Sequence, residues 1–263
     1  MKVLQVISYS PLYLSEGPPN VAFGFSKELA ARGHEVTVFS TDTSRMKSRL
    51  KIQNNPVLVE DVTIFHFRNL SNQMANRNLP LALDMAIALK RRIEDFDLVH
   101  LHEYRTLNAA FVHYCSIKKK IPFVLQPHGS LSRICTDAYE RLRLRSAFDL
   151  LFGASILRDA NLVIAVQEKE ATQFRQIGVD EHRIRIVPNA INTADYENLP
   201  EEGIFRRKYG LAEEDLIVLF LGRINKLKGP DLGKKNAAIS AFQQIVVLNQ
   251  SEDETPESKS RID

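Results

Sequence analysis

Met1-Lys2-Val3-Leu4-Gln5-Val6-Ile7-Ser8, then Ser15-Glu16-Gly17-Pro18-Pro19-Asn20, then Arg32-Gly33-His34-Glu35-Val36-Thr37-Val38-Phe39 decide the fold. Val3, Leu4, Val6 and Ile7 form a nearly continuous apolar run, the pattern of a parallel strand buried on both faces. A loop from Tyr9 to about Pro19 follows. Val21, Phe25 and Leu29 then recur at i, i+4 and i+8, which predicts an amphipathic helix. Pro18 and Pro19 suit its first turn, where a missing N–H has no intrahelical partner. Gly33 supplies the left-handed conformation that ends many helices, and the alternation of Val36, Val38 and Phe39 begins a second strand. The unit is a βαβ crossover. It puts the end of its first strand and the start of its helix at one sheet edge, where helix dipoles and free N–H groups favour anions. The Gly-x-Gly-x-x-Gly dinucleotide fingerprint is absent, since Ser15 to Asn20 holds only Gly17, and this counts against a nicotinamide enzyme.

Outward from this unit, Ser44 to Pro56 reads as a loop. Val57 to Phe67 supplies one or two strands, with Thr63, Phe65 and Phe67 on one face. Asn69 to Asn78 is a second loop. Leu79 to Glu94 is helical by the spacing of Met85, Leu89 and Ile93, and Asp97 to His102 is the next buried strand. A helix over Thr106 to Lys120 and a strand Phe123-Val124-Leu125 follow, with His128-Gly129 directly after that strand. A basic helix spans about Tyr139 to Phe152. The strand Leu162 to Val166, a helix from Glu168 closed by Gly178, and the strand Arg185-Ile186-Val187 complete the alternation of a doubly wound parallel sheet. This domain covers 1–188. Residues 189–200 read as a linker, and 201–249 as the start of a second Rossmann-like domain. That start holds a short helix at Phe205 to Tyr209, a strand at Leu216 to Leu221, and a helix through Ala238, Phe242, Ile245 and Val246. The polar stretch 250–263 is expected to be disordered.

The chain has 263 residues, of which 44% are hydrophobic and 25% charged, enough to bury a real core. A net charge of +3 is too mild to argue for nucleic acid. Cys115 and Cys135 lack metal-ligand spacing, and a reducing compartment with incidental thiols is expected. Met1-Lys2 leads straight into a strand, so no signal peptide is expected, and no apolar run is long enough to span a bilayer. The expected location is the cytoplasm, with peripheral membrane contact as the added option. Lys118 to Lys120 with Arg141, Arg143 and Arg145 fit an anionic lipid surface, although a solvated face explains them more simply. His100 and His102 share one side of a strand. That permits a metal pair, but without a third ligand the favoured reading is a pair of satisfied buried histidines.

Several motifs together carry a resemblance: Gly17-Pro18-Pro19, Arg32-Gly33-His34-Glu35-Val36, Leu98-Val99-His100-Leu101-His102, Pro127-His128-Gly129, Val187-Pro188-Asn189, and Leu221-Gly222-Arg223 with Lys228-Gly229. In this order and spacing the chain resembles a family 4 glycosyltransferase of the GT-B fold, from residue 1 to about 232. The resemblance implies two Rossmann-like domains, the first holding an acceptor and the second a nucleotide-sugar donor, with transfer that retains the anomeric configuration. It implies that Arg223 and Lys228 hold the donor diphosphate and that His128, the expected catalytic residue, lies against the transferred sugar. Gly17 and Gly129 would shape the cleft. No metal and no cofactor beyond the nucleotide-sugar co-substrate is implied. The acceptor would be a sugar, a glycan or a lipid-linked glycan.

Physical chemistry makes these roles sensible. Breaking the bond from sugar to diphosphate throws negative charge onto the leaving group, which fixed cations and N–H donors stabilise without a metal. Arg223 offers a planar fork to phosphate oxygens, and Lys228 a mobile point charge, where the bland alternative is a pair of solvated loop charges. The sequence departs from the family pattern at Glu16, Ala190 and Asn192. After Asp231-Leu232 the pattern is lost, and the paired glutamates expected to hold the donor ribose are missing. The donor domain is therefore expected to be a stub, and the chain inactive alone or dependent on a complementing polypeptide. The rival reading is a noncatalytic acceptor-binding or partner-binding remnant.

Overall fold

A computed structural model describes residues 1–12, 17–43, 49–52, 55–76, 80–131, 147–191, 193–214, 217–221 and 244–248. The chain divides into two compact units, Met1–Ile191 and Asn192–Asp263.

The first unit opens with β1 (Lys2–Val6), α1 (Gly17–Ala31) and β2 (Glu35–Thr41), the crossover expected from the opening residues. Gly33, at φ +83, closes α1. Its N–H donates to the Ala30 carbonyl at 2.9 Å, and that of His34 donates to the Leu29 carbonyl at 3.1 Å. β3 (Val57–Val59) and β4 (Val62–Phe67) form an antiparallel hairpin around Glu60 and Asp61, both at positive φ. Beyond it come α2 (Asn72–Asn76), α3 (Leu83–Arg92) with a 3₁₀ turn (Ile93–Asp95), β5 (Leu98–Leu101), α4 (Leu107–Lys119) and β6 (Phe123–Leu125). Thr106 caps α4, its hydroxyl accepting from the Ala109 N–H at 3.1 Å. A π-helical turn (Asp149–Gly153) runs into α5 (Ala154–Asp159), followed by β7 (Leu162–Ala165), α6 (Glu168–Gln176) and β8 (Ile184–Ile186).

Three differences from expectation in this unit go beyond a residue or so at an element's end. The segment Asn69 to Asn78, read as loop, contains α2. The helix expected from Leu79 begins at Leu83; Pro80 intervenes, and a proline biases the residue before it away from the α region. The helix expected to end at Phe152 continues to Asp159 because Gly153 keeps helical angles, φ −62 and ψ −43. Its expected beginning, at 139–146, lies outside the described residues.

The eight strands lie in the order β3-β4-β2-β1-β5-β6-β7-β8, all neighbours parallel except β3 with β4. From β1 the chain winds outward through β2 to β4, then returns to place β5, β6, β7 and β8 on the other side. The strand order therefore reverses between β1 and β5. Such a switch point opens a crevice at the carboxyl ends of the strands. Leu4, Val6, Val99, Leu101, Phe123 and Leu125 belong to the larger core cluster with Met85 and Leu89 of α3 and Val112 of α4, while Ile7, Val36, Val38 and Ile64 pack with Ala22 of α1. Alternation along β1 sets Gln5 on the α1 side, fully buried, at a position where the apolar pattern skips a residue. At the far edge, Arg185 on β8 donates from Nη1 to the carbonyls of His182 and Ile184 at 2.9 and 2.8 Å.

In the second unit, α7 (Ile204–Tyr209) ends at Gly210, φ +65, and β9 (Ile217–Leu221) pairs with β10 (Gln244–Leu248). The pairing is parallel, from Gln244 opposite Ile217 to Leu248 opposite Leu221. This overturns one expectation: residues 244–248 are a strand, not a helix. Ile245, Val246 and Val247 are β-branched and fit a pleated ladder better than a helix. Ala238 and Phe242 lie outside the described residues.

Candidate functional site

The carboxyl ends of β1, β5 and β6 bring together residues far apart in sequence. His102 follows β5 directly, and its imidazole is the hub: Nε2 lies 2.6 Å from Gln5 Oε1 of β1, and Nδ1 lies 3.0 Å from His128 Nε2. The His100 and His102 rings are 3.9 Å apart, and Phe25 of α1 meets His100 edge-on at 5.9 Å. Burial pushes the His100 pKa down to about 3, with the nearby His128 adding to the effect. Burial likewise holds His102 well below its ordinary range, helped by the two flanking imidazoles, and takes His128 down to about 4. All three rings are neutral at physiological pH.

His128 sits in the left-handed region at φ +51, and Gly129 follows at φ +77. A non-glycine residue there is uncommon, and His128 needs external support to stay in it. The support comes from three sides. Glu170 of α6, 3% exposed, accepts the Gly129 N–H on Oε1 at 2.6 Å and the Val166 N–H on Oε2 at 2.8 Å. Arg105 donates to the Ser130 carbonyl while gripping Asp149 through Nε and Nη2 at 2.9 and 2.8 Å. The third hold is the hydrogen bond between His128 Nε2 and His102 Nδ1.

Beside the histidines, Glu103 accepts from the Ser8 N–H and hydroxyl, at 2.7 and 2.5 Å, and from the Thr106 hydroxyl at 3.1 Å. Burial raises its pKa, although these donors pull the other way. Asn108 donates to the Ser8 hydroxyl at 2.9 Å, so the carboxylate is a girder of the β1 and β5 loops. Some buried polar atoms complete no hydrogen bond, among them Gln5 Nε2, His100 Nε2 and both carboxamide atoms of Gln126. Gln126 lies near enough to favour a protonated His100, but the bond geometry is not met. Such atoms clustered at a strand end mark a polar site rather than a core.

Of the residues singled out from sequence, His128 and Gly129 lie at this edge. Gly17 opens α1, which follows β1 on the same edge, with φ +40. Pro18 and Pro19 have no N–H, leaving Gly17 and Asn20 as the donors of that first turn. Arg223 and Lys228 lie outside the described residues. The expectation of satisfied histidines holds for His102, while His100 keeps an unpaired Nε2. Among the described residues no group of three or more His, Cys, Asp or Glu side chains is placed to hold a metal ion. Gln5, Glu103 and Glu170 escaped the sequence reading. A polar residue inside the apolar run of β1 was the one available signal for Gln5.

Residues 16–195 match the model of the family described as Glycosyltransferase Family 4. The chain belongs to glycosyltransferase family 4. Among curated relatives, the D-inositol 3-phosphate glycosyltransferase of Nocardia farcinica is 27% identical over 215 residues, which cover 80% of this chain and 47% of that protein. An uncharacterised glycosyltransferase of Methanocaldococcus jannaschii is 23% identical over 240 residues, covering 87% of this chain and 57% of the relative. The chain thus spans about half the length of the curated relatives it matches. Among solved structures, Anabaena HepE in complex with UDP-glucose superposes with a TM-score of 0.63 at 18% identity, covering 94% of this chain and 59% of that one. The catalytic domain of starch synthase IV from Arabidopsis thaliana, bound to ADP and acarbose, gives 0.59 at 14%, covering 94% and 68%. The fold is GT-B in type, an α/β architecture built on a mostly parallel sheet. No helix among the described residues is long and apolar enough to cross a membrane.

Proposed function

We propose that the first unit is the acceptor-side half of an enzyme that moves a sugar from a nucleotide-sugar donor to a hydroxyl-bearing acceptor, retaining the anomeric configuration. One observation carries this reading: a neutral histidine, His128, held in left-handed backbone one strand from the switch point by Glu170, Arg105 and His102. Backbone strain that is supported from several sides is characteristic of ligand clamps and active sites. A neutral imidazole suits hydrogen bonding to a sugar hydroxyl, whereas a charged one would compete for the departing diphosphate. Arg223 and Lys228 are the proposed diphosphate ligands, stabilising charge as the bond to the sugar breaks. HepE, solved with UDP-glucose, makes that compound the first donor to try. We further propose that these 263 residues turn over donor only when joined by a fuller donor-binding half, since the match covers only about half of each relative.

The experiment measures release of nucleoside diphosphate from UDP-glucose and a panel of other donors. It uses the chain with and without a complementing donor-binding polypeptide. In the complemented system, His128→Ala should lower turnover by roughly 10²-fold, the scale for losing one polar group aimed at the reacting centre. Its melting temperature should move much less than that loss implies. Undiminished turnover by the variant would overturn the assignment, and steady turnover by the unassisted chain would overturn the need for a second half.

A further inference from the structure

We propose that Gln5 and His102 are positioning residues that lock His128 in one tautomer, with the proton on Nε2 and the Nδ1 lone pair offered to the substrate. The functional meaning of that lone pair rests on the reading of His128 as the group facing the sugar. The lock itself does not. A carboxamide oxygen only accepts, so at 2.6 Å from Gln5 Oε1 the His102 Nε2 must carry a proton. A neutral imidazole has a single N–H, which leaves His102 Nδ1 as an acceptor. At 3.0 Å it takes the proton of His128 Nε2, and His128, also neutral, is left with a bare Nδ1. Among the described residues that atom has no hydrogen-bond partner, and it is not one of the buried unsatisfied atoms.

The chain of three groups is rigid. Gln5 is fully buried on the central strand, opposite His100 in register. His100, packed 3.9 Å from His102 and against Phe25, limits rotation of the middle ring. The His102 and His128 rings are nearly parallel, at 14°. Protonating any one ring would set a cation among buried neighbours. The only consistent alternative turns the Gln5 carboxamide over, which reverses each bond and puts the proton on the outward Nδ1. The two arrangements make opposite demands on a ligand. With a bare Nδ1, His128 selects a group that donates a proton, such as a sugar hydroxyl, over one that only accepts.

The test is long-range proton–nitrogen NMR of the chain labelled with ¹⁵N-histidine at neutral pH. We expect His102 and His128 both in the Nε2–H form. A His128 found mainly as Nδ1–H would overturn the lock. Gln5→Met removes the acceptor at nearly constant volume and should leave His128 as a mixture of tautomers. An unchanged His128 tautomer in that variant, with circular dichroism showing it folded, would remove Gln5 from the mechanism. Neither measurement needs a substrate. UDP-glucose is then titrated into the complemented protein, where it should shift His128 Nδ1. If the free protein shows the Nε2–H form and neither nitrogen responds to donor, the sugar-facing reading of His128 falls while the lock stands.

Discussion

Replacing Glu170 by glutamine changes one atom in a buried carboxylate that closes the His128 loop. Glu170 accepts from two backbone N–H groups, those of Gly129 at 2.6 Å and Val166 at 2.8 Å. In Glu170→Gln the oxygen can face only one of them, and the NH₂ group confronts the other N–H donor to donor. Losing one charge-assisted bond and stranding a buried N–H costs about 2–4 kcal/mol. For a unit the size of Met1–Ile191 this lowers Tm by roughly 4–16 °C. The control is Glu168→Gln on the same helix. That side chain is 66% exposed and paired with Arg175, and should change stability by well under 1 kcal/mol, on the order expected of surface pairs. Differential scanning calorimetry gives the Tm values, and amide exchange at Gly129 localises the effect, with protection falling there before it falls in β1. Equal Tm values for the two variants, with Gly129 protection intact, would refute the idea that Glu170 holds the loop.

Three further predictions concern stability. Stability should fall as pH drops from about 6.5 towards 4: the unfolded chain binds protons on His100, His102 and His128 that the folded chain excludes. Their native pKa values lie below the ordinary histidine value, so their contribution is intact above that value and lost below it. Each excluded histidine proton is worth up to about 1.4 kcal/mol per pH unit below the ordinary histidine value. Glu103, shifted upward, opposes the histidines in part, and urea titrations across this range read the net fall; a flat profile would show the histidines to be protonated when folded. Gly129→Ala should cost about 1–2 kcal/mol for backbone alone, because φ is +77 and an added Cβ meets nothing within 4 Å; an unchanged urea midpoint would contradict the left-handed assignment. Gly153→Ala would press its Cβ into the hydroxyl of the buried Tyr104 and should cost about 1–3 kcal/mol, with partial recovery in Gly153→Ala/Tyr104→Phe; failure of the second change to help would remove Tyr104 as the cause.

Local pattern carried the first unit a long way. The run Val3 to Ile7, the spacing of Val21, Phe25 and Leu29, and Gly33 gave the opening crossover because each signal lies within one turn or strand of its effect. The placement of His128 after β6 was equally local. Its environment was not: Gln5 and His102 are 97 residues apart, and Glu170 meets Gly129 across 41. A glutamate in the first turn of a helix reads as an ordinary helix-start acid, and nothing in its neighbours tells that its carboxylate turns back to a loop. Residues 244–248 failed for a different reason. The spacing of Ile245 and Val246 from Ala238 and Phe242 reads as a helical stripe although their β-branching favours a strand, and the deciding partner, β9, lies beyond a long intervening stretch.

The two edges of the sheet bear on how this protein behaves in concentrated solution. An open strand edge is a template for another chain, and exposed Ile186 on β8 would make it an adhesive one. The Arg185 guanidinium occupies the carbonyls of His182 and Ile184 and sets a fixed positive charge where an incoming strand would have to lie. The opposite edge is closed differently, by a three-residue strand turned back at Glu60 and Asp61, too short and too acidic at its tip to recruit a neighbour. Among the described residues, the two edges of the first unit are thus guarded in different ways, by an arginine charge at one end and by a hairpin at the other.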